Sequence, residues 1–196
     1  MAFDAQKIRN EFPSLKNLIY DKPLIYLDSA ATTLKPKLVI DEITRFYGPN
    51  YSTVRRGLYQ LSEKATASFE LTRQKVAKFI NANSSSEIIF TSGTTDSINL
   101  VAATFGRKFI NKNDEVIISE IEHHANIVPW QLICEEKGAI IKVIPVNDKG
   151  ELCLDEYQNL FSAKTKLVAV GYISNALGTI HPVKEIIKIA QNLNVP

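Results

Sequence analysis

Hydrophobic positions in the first 82 residues mostly recur with the period of an α-helix. That pattern predicts three helices, with one short strand and one loop between them. The helices are Asp4–Phe12, a helix with Pro36 in its first turn, and Ser62–Ala82; the strand is Pro23–Leu27, and the loop is 48–61. The loop lacks periodicity and is rich in polar and aromatic side chains, which is typical of a functional loop.

Beyond Ala82 the pattern changes to strands that alternate with helices. The predicted strands are Glu87–Phe90, Glu115–Ser119, Ile140–Val146 and Lys166–Tyr172. The predicted helices are Thr95–Phe109, Ile127–Lys137, Asp155–Phe161 and Val183–Leu193. Alternation of this kind predicts an α/β fold, with a mostly parallel sheet and helices on both of its faces.

Composition and charge narrow the classes of partner. The 196-residue chain carries 23 Lys and Arg against 21 Asp and Glu, scattered along its length, so no basic field suited to nucleic acid is expected. No apolar run reaches the ~20 residues that span a bilayer, and the acidic first residues argue against a secretory or mitochondrial leader. Two cysteines, Cys134 and Cys153, are too few for a disulfide framework. A cytoplasmic protein with two structural thiols is therefore expected.

A glycine turn separates the first predicted strand of the sheet from the helix that follows it. Residues 91–95 read Thr-Ser-Gly-Thr-Thr and place Gly93, Thr94 and Thr95 at the start of that helix. Free backbone amides at a helix N-terminus, together with two hydroxyls, suit a phosphate dianion. The alternative is an ordinary glycine turn with a threonine cap.

Two further polar segments follow predicted strands. The segment 119–131 reads Ser-Glu-Ile-Glu-His-His-Ala-Asn-Ile-Val-Pro-Trp-Gln and offers the His123 ring to a planar cofactor or its nitrogen to a substrate. Asn175 follows a later strand, where its amide can hydrogen-bond a ring oxygen. The structural alternatives are a hydrogen-bonded histidine and an Asx turn. Because His123 and His124 are adjacent, their rings point apart, and no metal-ligand spacing is present, so no metal site is expected.

These polar groups follow three separate strands of one predicted sheet. Since an open α/β sheet binds its ligand outside the carboxyl ends of its strands, we expect Thr95, His123 and Asn175 to converge there. Their joint placement argues for a ligand site more strongly than any one of them does. An unrelated phosphate-binding α/β domain is a more distant alternative, which the segment around His123 disfavours.

Five segments carry a resemblance to a known family. They are Tyr-Leu-Asp-Ser-Ala-Ala-Thr at 26–32, Arg-Gly with Leu-Ser at 56–62, Gly-Thr-Thr-Asp-Ser-Ile-Asn at 93–99, Glu-His-His-Ala-Asn-Ile-Val-Pro-Trp-Gln at 122–131 and Ser-Asn-Ala-Leu-Gly-Thr at 174–179. In order and register they resemble the group II cysteine desulfurases of the SUF pathway, which are class V, fold-type I enzymes of pyridoxal 5′-phosphate (PLP). The resemblance implies N-terminal helices and an active-site loop at residues 1–61. It also implies an incomplete PLP-binding large domain at 62–196, truncated before its last strands.

The resemblance implies a role for each matching residue. Thr94 and Thr95 would bind the cofactor phosphate. His123 would stack on the pyridine ring and assist proton transfer, while Asn175 would hydrogen-bond the ring hydroxyl and lie near the substrate. In this family a cysteine of the enzyme takes the sulfur of L-cysteine as a persulfide and leaves L-alanine, and the sulfur supplies iron-sulfur cluster assembly.

The resemblance also shows departures and missing parts. Ala30 and Ala31 match the substrate side of the family's pocket, but Arg55 and Tyr59 stand where the family usually has two histidines in Val-His-Arg-Gly-x-His. The family's Schiff-base lysine, its aspartate partner of the pyridine nitrogen, its persulfide cysteine and its carboxylate-binding arginine would all lie beyond Pro196. The chain is therefore predicted to be the N-terminal part of a desulfurase that is catalytically incomplete by itself.

The partners implied by the resemblance are L-cysteine, a second copy in a homodimer, a sulfur-acceptor protein and a separately encoded C-terminal half. Nucleic acid and membrane are not implied. Two alternatives stay open. One is a truncated relative that keeps the pocket and acts as a non-catalytic binding or interaction protein. The other is an enzyme like selenocysteine lyase, which would cleave a C–Se bond in the same pocket.

Overall fold

The structure is a computed structural model that describes residues 3–196, and these divide into two compact units between Ile89 and Phe90. The domain boundary predicted between residues 61 and 62 refers to the organisation of a whole family enzyme and stays a prediction. Across residues 3–196, no helix combines the length and the apolar character that a bilayer crossing demands.

The first unit consists of helices and one small hairpin. Helix α1 (Ala5–Asn10) begins where the side chain of Asp4 accepts a 3.0 Å hydrogen bond from the Lys7 amide, which confirms the predicted cap. Helix α2 (Lys37–Tyr47) and helix α3 (Gln60–Phe79) confirm the other two predicted helices, although α3 begins and ends somewhat earlier than the sequence pattern indicates.

The strand predicted at Pro23–Leu27 is wrong in its extent. The chain instead forms an antiparallel hairpin of β1 (Leu18–Ile19) and β2 (Lys22–Pro23), whose two turn residues both have positive φ. Beyond Pro23 one further hydrogen bond joins the two arms, in which the Leu24 amide donates to the Asn17 carbonyl oxygen at 3.2 Å. The residues from Leu24 to Leu27 lie outside any strand of the described chain.

A three-stranded parallel sheet forms the centre of the second unit, in the order β4–β3–β5. The strands are β3 (Glu115–Ser119), β4 (Ile140–Ile144) and β5 (Thr165–Ala169). All five residues of β3 are buried, as expected for a central strand covered on both faces. On the other side of β5, the Val168 amide donates a 3.0 Å hydrogen bond to the carbonyl oxygen of Pro196.

The strand predicted at Glu87–Phe90 is wrong for the described residues. Ser85–Glu87 forms a short 3₁₀ turn closed by a capping box with Ser84. Ile88 keeps extended angles, φ −91° and ψ 119°, but residues 88–90 belong to neither sheet of the described chain. Extended backbone becomes a strand only where a neighbouring strand satisfies its hydrogen-bonding groups, and no such pairing of residues 88–90 occurs in the described chain.

Helices cover both faces of the large sheet, which confirms the predicted α/β fold class. They are α4 (Thr94–Val101), α5 (Arg107–Phe109), α6 (Val128–Lys137), α7 (Leu154–Asn159) and α8 (Val183–Asn192). Successive side chains of β3 point to opposite faces. Ile118 packs in one hydrophobic cluster with Trp130 of α6, whereas Ile117 packs in the other with Tyr157 of α7 and Ile186 of α8.

The helix predicted as continuous over Thr95–Phe109 contains a wider turn. Between α4 and α5 lies one π-helical turn, Ala102–Gly106. A Cβ added at Gly106 would lie 3.1 Å from Cγ1 of Ile133, so this turn packs closely against α6 and a larger residue would require Ile133 to shift.

Candidate functional site

A cavity of about 680 Å³ lies at the carboxyl ends of β3 and β5, beside the N-terminus of α4. Thr94, Thr95, His123 and Asn175 all line it, so the structure brings together four of the residues predicted for one site. This is the edge of a parallel sheet at which α/β proteins bind ligands. Ala30 and Ala31 belong to the first unit, and their place on the substrate side stays a prediction.

The first two residues of α4, Thr94 and Thr95, line the cavity. The N-cap residue is Gly93, which has no side chain, and no side-chain hydrogen bond caps the helix. The first-turn carboxylate of Asp96 is turned back, because its Oδ2 accepts hydrogen bonds of 3.2 Å from the amide and the hydroxyl of Ser92. The amides and hydroxyls of Thr94 and Thr95 are therefore arranged as a helix end that attracts an anion.

His123 is held in one tautomer by its own turn. Its Nδ1 accepts a 3.1 Å hydrogen bond from the Ala125 amide, so a neutral ring carries its proton on Nε2. The rings of His123 and His124 are 6.4 Å apart at an angle of 57°, and of these two residues His123 lines the cavity and His124 does not. No cluster of three His, Cys, Asp or Glu side chains suited to a metal occurs in the described part of the chain.

Asn175 lies in a turn that a neighbouring residue closes. The hydroxyl of Ser174 accepts a 3.1 Å hydrogen bond from the Leu177 amide, and the Ser174 carbonyl accepts one of 2.9 Å from Gly178. Gly178 has a φ of 72°, which favours glycine at this position. In an Asx turn, the side chain of Asn175 would accept the hydrogen bond that closes the turn. Here the Ser174 hydroxyl accepts that bond, so Asn175 lines the cavity and its side-chain amide is not used to close the turn.

Glu122 is a site residue to which sequence reasoning assigned no role. Its Oε1 accepts hydrogen bonds from the Ser119 hydroxyl at 2.6 Å and from the Gly171 amide at 2.8 Å, while its Oε2 accepts one of 2.9 Å from Asn126 Nδ2. Asn126 Oδ1 in turn accepts a 2.9 Å hydrogen bond from Trp130 Nε1. We refer to these five residues as the Glu122 network. Its sequence signal is a carboxylate and an amide four residues apart, on either side of a histidine pair.

His181 is a second cavity residue that the sequence did not single out. It is buried, its Nδ1 lies 2.9 Å from the carbonyl oxygen of Gly171, and its Nε2 has no hydrogen-bond partner among the described residues. A carbonyl only accepts, so Nδ1 is the donor and a neutral ring presents a bare Nε2. A buried ring nitrogen of a residue that lines the cavity is thus unsatisfied among the described residues.

The two cysteines are not part of this cavity. Cys134 is buried on α6, and burial raises the pKa of its thiol to about 11. A thiol with that pKa is protonated near neutral pH and is a poor nucleophile. Cys153 is half-buried and precedes α7. Neither side chain lines the cavity, so neither is placed to receive sulfur from a ligand bound there.

Arg55 and Tyr59, for which the resemblance implies histidines in the family, are both hydrogen-bonded within the first unit. The guanidinium of Arg55 donates to Oε1 of Glu70 on α3, with Nε at 3.2 Å, and the Arg55 amide donates to Thr66 Oγ1 at 2.8 Å. The Tyr59 hydroxyl lies 2.8 Å from the Ser52 hydroxyl. Arg55 therefore ties the loop to α3 and does not extend from it as a free cation.

The lining residues suit a ligand that has both an anionic and a flat aromatic part. The helix end at Thr94 and Thr95 offers amides and hydroxyls for a phosphate, while His123 offers a ring face and Asn175 an amide. None of the described residues that line the cavity is Lys or Arg, so an anion held there depends on helix amides and hydroxyls. These features fit a phosphorylated pyridine cofactor such as PLP.

Comparison with known proteins gives consistent similarities. A family profile described as aminotransferase class-V matches residues 25–195. A cysteine desulfurase of Serratia proteamaculans (strain 568) is 50% identical over 186 residues, which make up 95% of this chain and 46% of the relative.

Solved structures show the same similarity. The apo structure of a cysteine desulfurase from Thermococcus onnurineus NA1 has a TM-score of 0.90 at 35% identity and covers 100% of this chain and 46% of that one. The cysteine desulfurase CsdA from Escherichia coli, in its S-sulfonic acid form, has a TM-score of 0.84 at 33% identity and covers 100% of this chain and 48% of that one. The chain spans between 27% and 47% of the length of the curated relatives compared.

Proposed function

Because the chain belongs to the class V aminotransferase family, we propose that it is the N-terminal part of a PLP-dependent cysteine desulfurase. The substrate would be L-cysteine, the products L-alanine and a persulfide sulfur on the enzyme. The observation that carries the proposal is the convergence of Thr94, Thr95, His123 and Asn175 on one cavity. This cavity lies in a chain that is 50% identical, over 186 residues, to 46% of a cysteine desulfurase.

In this proposal each side chain has one task. Thr94 and Thr95, with the first amides of α4, bind the cofactor phosphate. His123 covers the ring, and its Nε2–H, fixed by the Ala125 hydrogen bond, holds or delivers a proton at the face it covers. Asn175 donates to the ring hydroxyl. When bound, PLP supplies an electron sink that weakens the bonds at the α-carbon of the amino acid.

The remaining parts of the proposal follow from the resemblance. Ala30 and Ala31 would line the substrate side, residues 1–61 would form the N-terminal part with the active-site loop, and residues 62–196 would form the incomplete large domain. The group II, SUF-type assignment rests on the five segments at 26–32, 56–62, 93–99, 122–131 and 174–179. A homodimer, a cytoplasmic location, a sulfur-acceptor protein and a role in iron-sulfur cluster assembly belong to the same proposal.

The sulfur-accepting thiol is proposed to lie outside residues 1–196. Cys134 is buried with a pKa of about 11, and Cys153 does not line the cavity. The Schiff-base lysine is also proposed to come from elsewhere, because no lysine lines the cavity among the described residues. A contiguous or a separately encoded C-terminal half would complete the enzyme.

A chimera tests the proposal directly. Residues 1–196 replace the matching part of the Serratia relative, so that the relative supplies the rest of the enzyme. We expect the chimera to release L-alanine from L-cysteine and a His123→Ala chimera to lose that activity by about 100-fold or more, the range for a lost acid-base group. A folded chimera that releases no alanine would support the non-catalytic alternative. A clear preference for L-selenocysteine over L-cysteine would support the selenocysteine lyase-like alternative.

A further inference from the structure

Glu122 contacts both of the strand ends that border the cavity. Its Oε1 accepts hydrogen bonds from the hydroxyl of Ser119, the last residue of β3, at 2.6 Å and from the amide of Gly171, just after β5, at 2.8 Å. One carboxylate therefore sets the spacing between two loops. The first loop carries His123 and the second carries Asn175.

The direction of the hydrogen bonds in the Glu122 network is set by Trp130. The indole Nε1–H only donates, so Asn126 must present Oδ1 to it and direct Nδ2 away. That Nδ2 donates to Glu122 Oε2 at 2.9 Å and to the Ala169 carbonyl at 3.2 Å. Glu122 must then accept at both oxygens. A carboxylate meets this demand, whereas a glutamine side chain places a donor against either Asn126 or Gly171.

The second loop is held from both sides at one residue. The Gly171 amide donates to Glu122, and the Gly171 carbonyl accepts from His181 Nδ1 at 2.9 Å. A Cβ added at Gly171 would lie 3.2 Å from Glu122 Oε2, so the glycine permits this close contact. The hydrogen bonds of Glu122 go to residues 119, 126 and 171 and not to the α4 residues at the phosphate end.

We propose that Glu122 is the positioning residue of the cavity, which holds His123 and Asn175 at the separation that lets one contact the face and the other the edge of a single ring. The inference rests on the proposed function, since the ring is that of the cofactor. Glu122 acts on the ring side of the ligand and leaves the phosphate side to α4.

The test uses the 196-residue chain, a Glu122→Gln variant and three probes: pyridoxine 5′-phosphate, pyridoxine and inorganic phosphate. Pyridoxine compounds lack the aldehyde of PLP and so do not react with surface lysines. We expect Glu122→Gln to bind both pyridoxine compounds about tenfold more weakly, because two ring contacts lose alignment, and to bind phosphate as the wild type does. The emission of Trp130 should also shift in the ligand-free variant, since its hydrogen-bond partner loses its orientation.

Two further variants control the test. Glu120→Gln changes an exposed carboxylate of the same loop, which accepts a 3.1 Å hydrogen bond from the Val146 amide that a glutamine oxygen can keep. This variant should bind all three probes as the wild type does. Ser119→Ala removes the 2.6 Å hydrogen bond and keeps the carboxylate. Ser119→Ala should weaken the binding of both pyridoxine compounds about threefold. If Glu122→Gln does not fold, this variant tests the positioning role in its place.

The outcomes separate the inference from the proposed function. If the wild type binds the pyridoxine compounds and Glu122→Gln binds them equally well with unchanged Trp130 emission, the positioning role is overturned and the proposed function stands. Equal weakening of all three probes, phosphate included, would indicate a general loss of structure and would also overturn the positioning role. If the wild type binds neither pyridoxine compound, the positioning role is overturned together with the ring site at this cavity, whereas alanine release by the chimera decides the proposed function independently.

Discussion

The indole Nε1 of Trp130 donates a 2.9 Å hydrogen bond to Oδ1 of Asn126, and Asn126 lines the cavity. Trp130 is the chain's single tryptophan and is only 3% exposed, in the hydrophobic cluster on one face of the sheet. Core packing and the cavity wall are therefore joined at one side chain. The emission of this tryptophan reports on both.

Replacing Trp130 by Phe should lower the free energy of unfolding by ~2–5 kcal/mol, because a large buried side chain shrinks and Asn126 Oδ1 loses its donor. Urea unfolding followed by far-UV circular dichroism measures the change. Tyr157→Phe is the matched control. The buried Tyr157 hydroxyl donates a 3.1 Å hydrogen bond to the Ile186 carbonyl oxygen, which already accepts a hydrogen bond within α8. We therefore expect Tyr157→Phe to lower the free energy of unfolding by only ~1 kcal/mol. Equal losses in the two variants would contradict the role given to the Trp130–Asn126 bond.

Thr95→Val should reduce the preference for phosphorylated over unphosphorylated pyridoxine by roughly 10- to 100-fold, the value of one hydrogen bond to a charged group. The ratio of the dissociation constants of pyridoxine and pyridoxine 5′-phosphate measures the contribution of the phosphate group to binding, because the ring contacts are common to both compounds. The control is Thr104→Val, in the same helical segment. It removes a hydroxyl that donates a 2.6 Å hydrogen bond to the Leu100 carbonyl oxygen, and Thr104 does not line the cavity. This control should leave the ratio unchanged. A ratio that is equally low in both variants would argue against phosphate binding at the start of α4.

The sequence predicted the large sheet well because its signals are local. Strand β3 is a run of buried residues, and Glu115–Ser119 was predicted with the observed bounds. The convergence of Thr95, His123 and Asn175 followed from a rule about the carboxyl ends of parallel strands. By contrast, the strand predicted at Glu87–Phe90 needs a neighbour that the described residues do not supply.

The Glu122 network and His181 were beyond sequence reasoning for a related reason. The Gly171 amide meets Glu122 across 49 positions of the chain, and His181 Nδ1 meets the Gly171 carbonyl only once the turn after β5 has formed. No periodicity encodes such contacts. The wide turn at Ala102–Gly106 likewise reflects the approach of Gly106 to Ile133 on another helix.

Acid should destabilise the protein partly through Glu115. Burial by itself raises the pKa of this carboxyl, but hydrogen bonds from Lys142, Ser162 and Thr165 outweigh burial and hold it below the ordinary value. A folded-state pKa below that of the unfolded chain means that the stabilisation is complete above about pH 4.3 and is lost as the pH falls through the folded value.

Glu115→Gln should therefore flatten the loss of unfolding free energy between about pH 5 and pH 3 and lower the stability at neutral pH. Urea unfolding at a series of pH values measures this. Glu136→Gln is the control. The Glu136 carboxylate pairs with Arg107 on the exposed surface, where solvent screens the pair, so its loss should change the free energy of unfolding very little. If wild type and Glu115→Gln lost stability in parallel, the buried network would not be the cause.

Cys134 should resist alkylation in the folded protein. Burial raises the pKa of its thiol to about 11, and the thiolate is the reactive form. Iodoacetamide at about pH 8 should label Cys153 first and label Cys134 only in urea, as read by mass spectrometry of the peptides. Rapid labelling of Cys134 in the native chain would remove the argument against its acting as the sulfur-accepting thiol.

The most direct measurement for the central claim is a titration of the 196-residue chain with pyridoxine 5′-phosphate, followed by quenching of Trp130 emission. We expect saturable quenching in the wild type. We also expect about tenfold weaker binding in His123→Ala, because the ring loses its stacking partner. Non-saturable quenching in the wild type, or an unchanged affinity in His123→Ala, would contradict a cofactor site at this cavity.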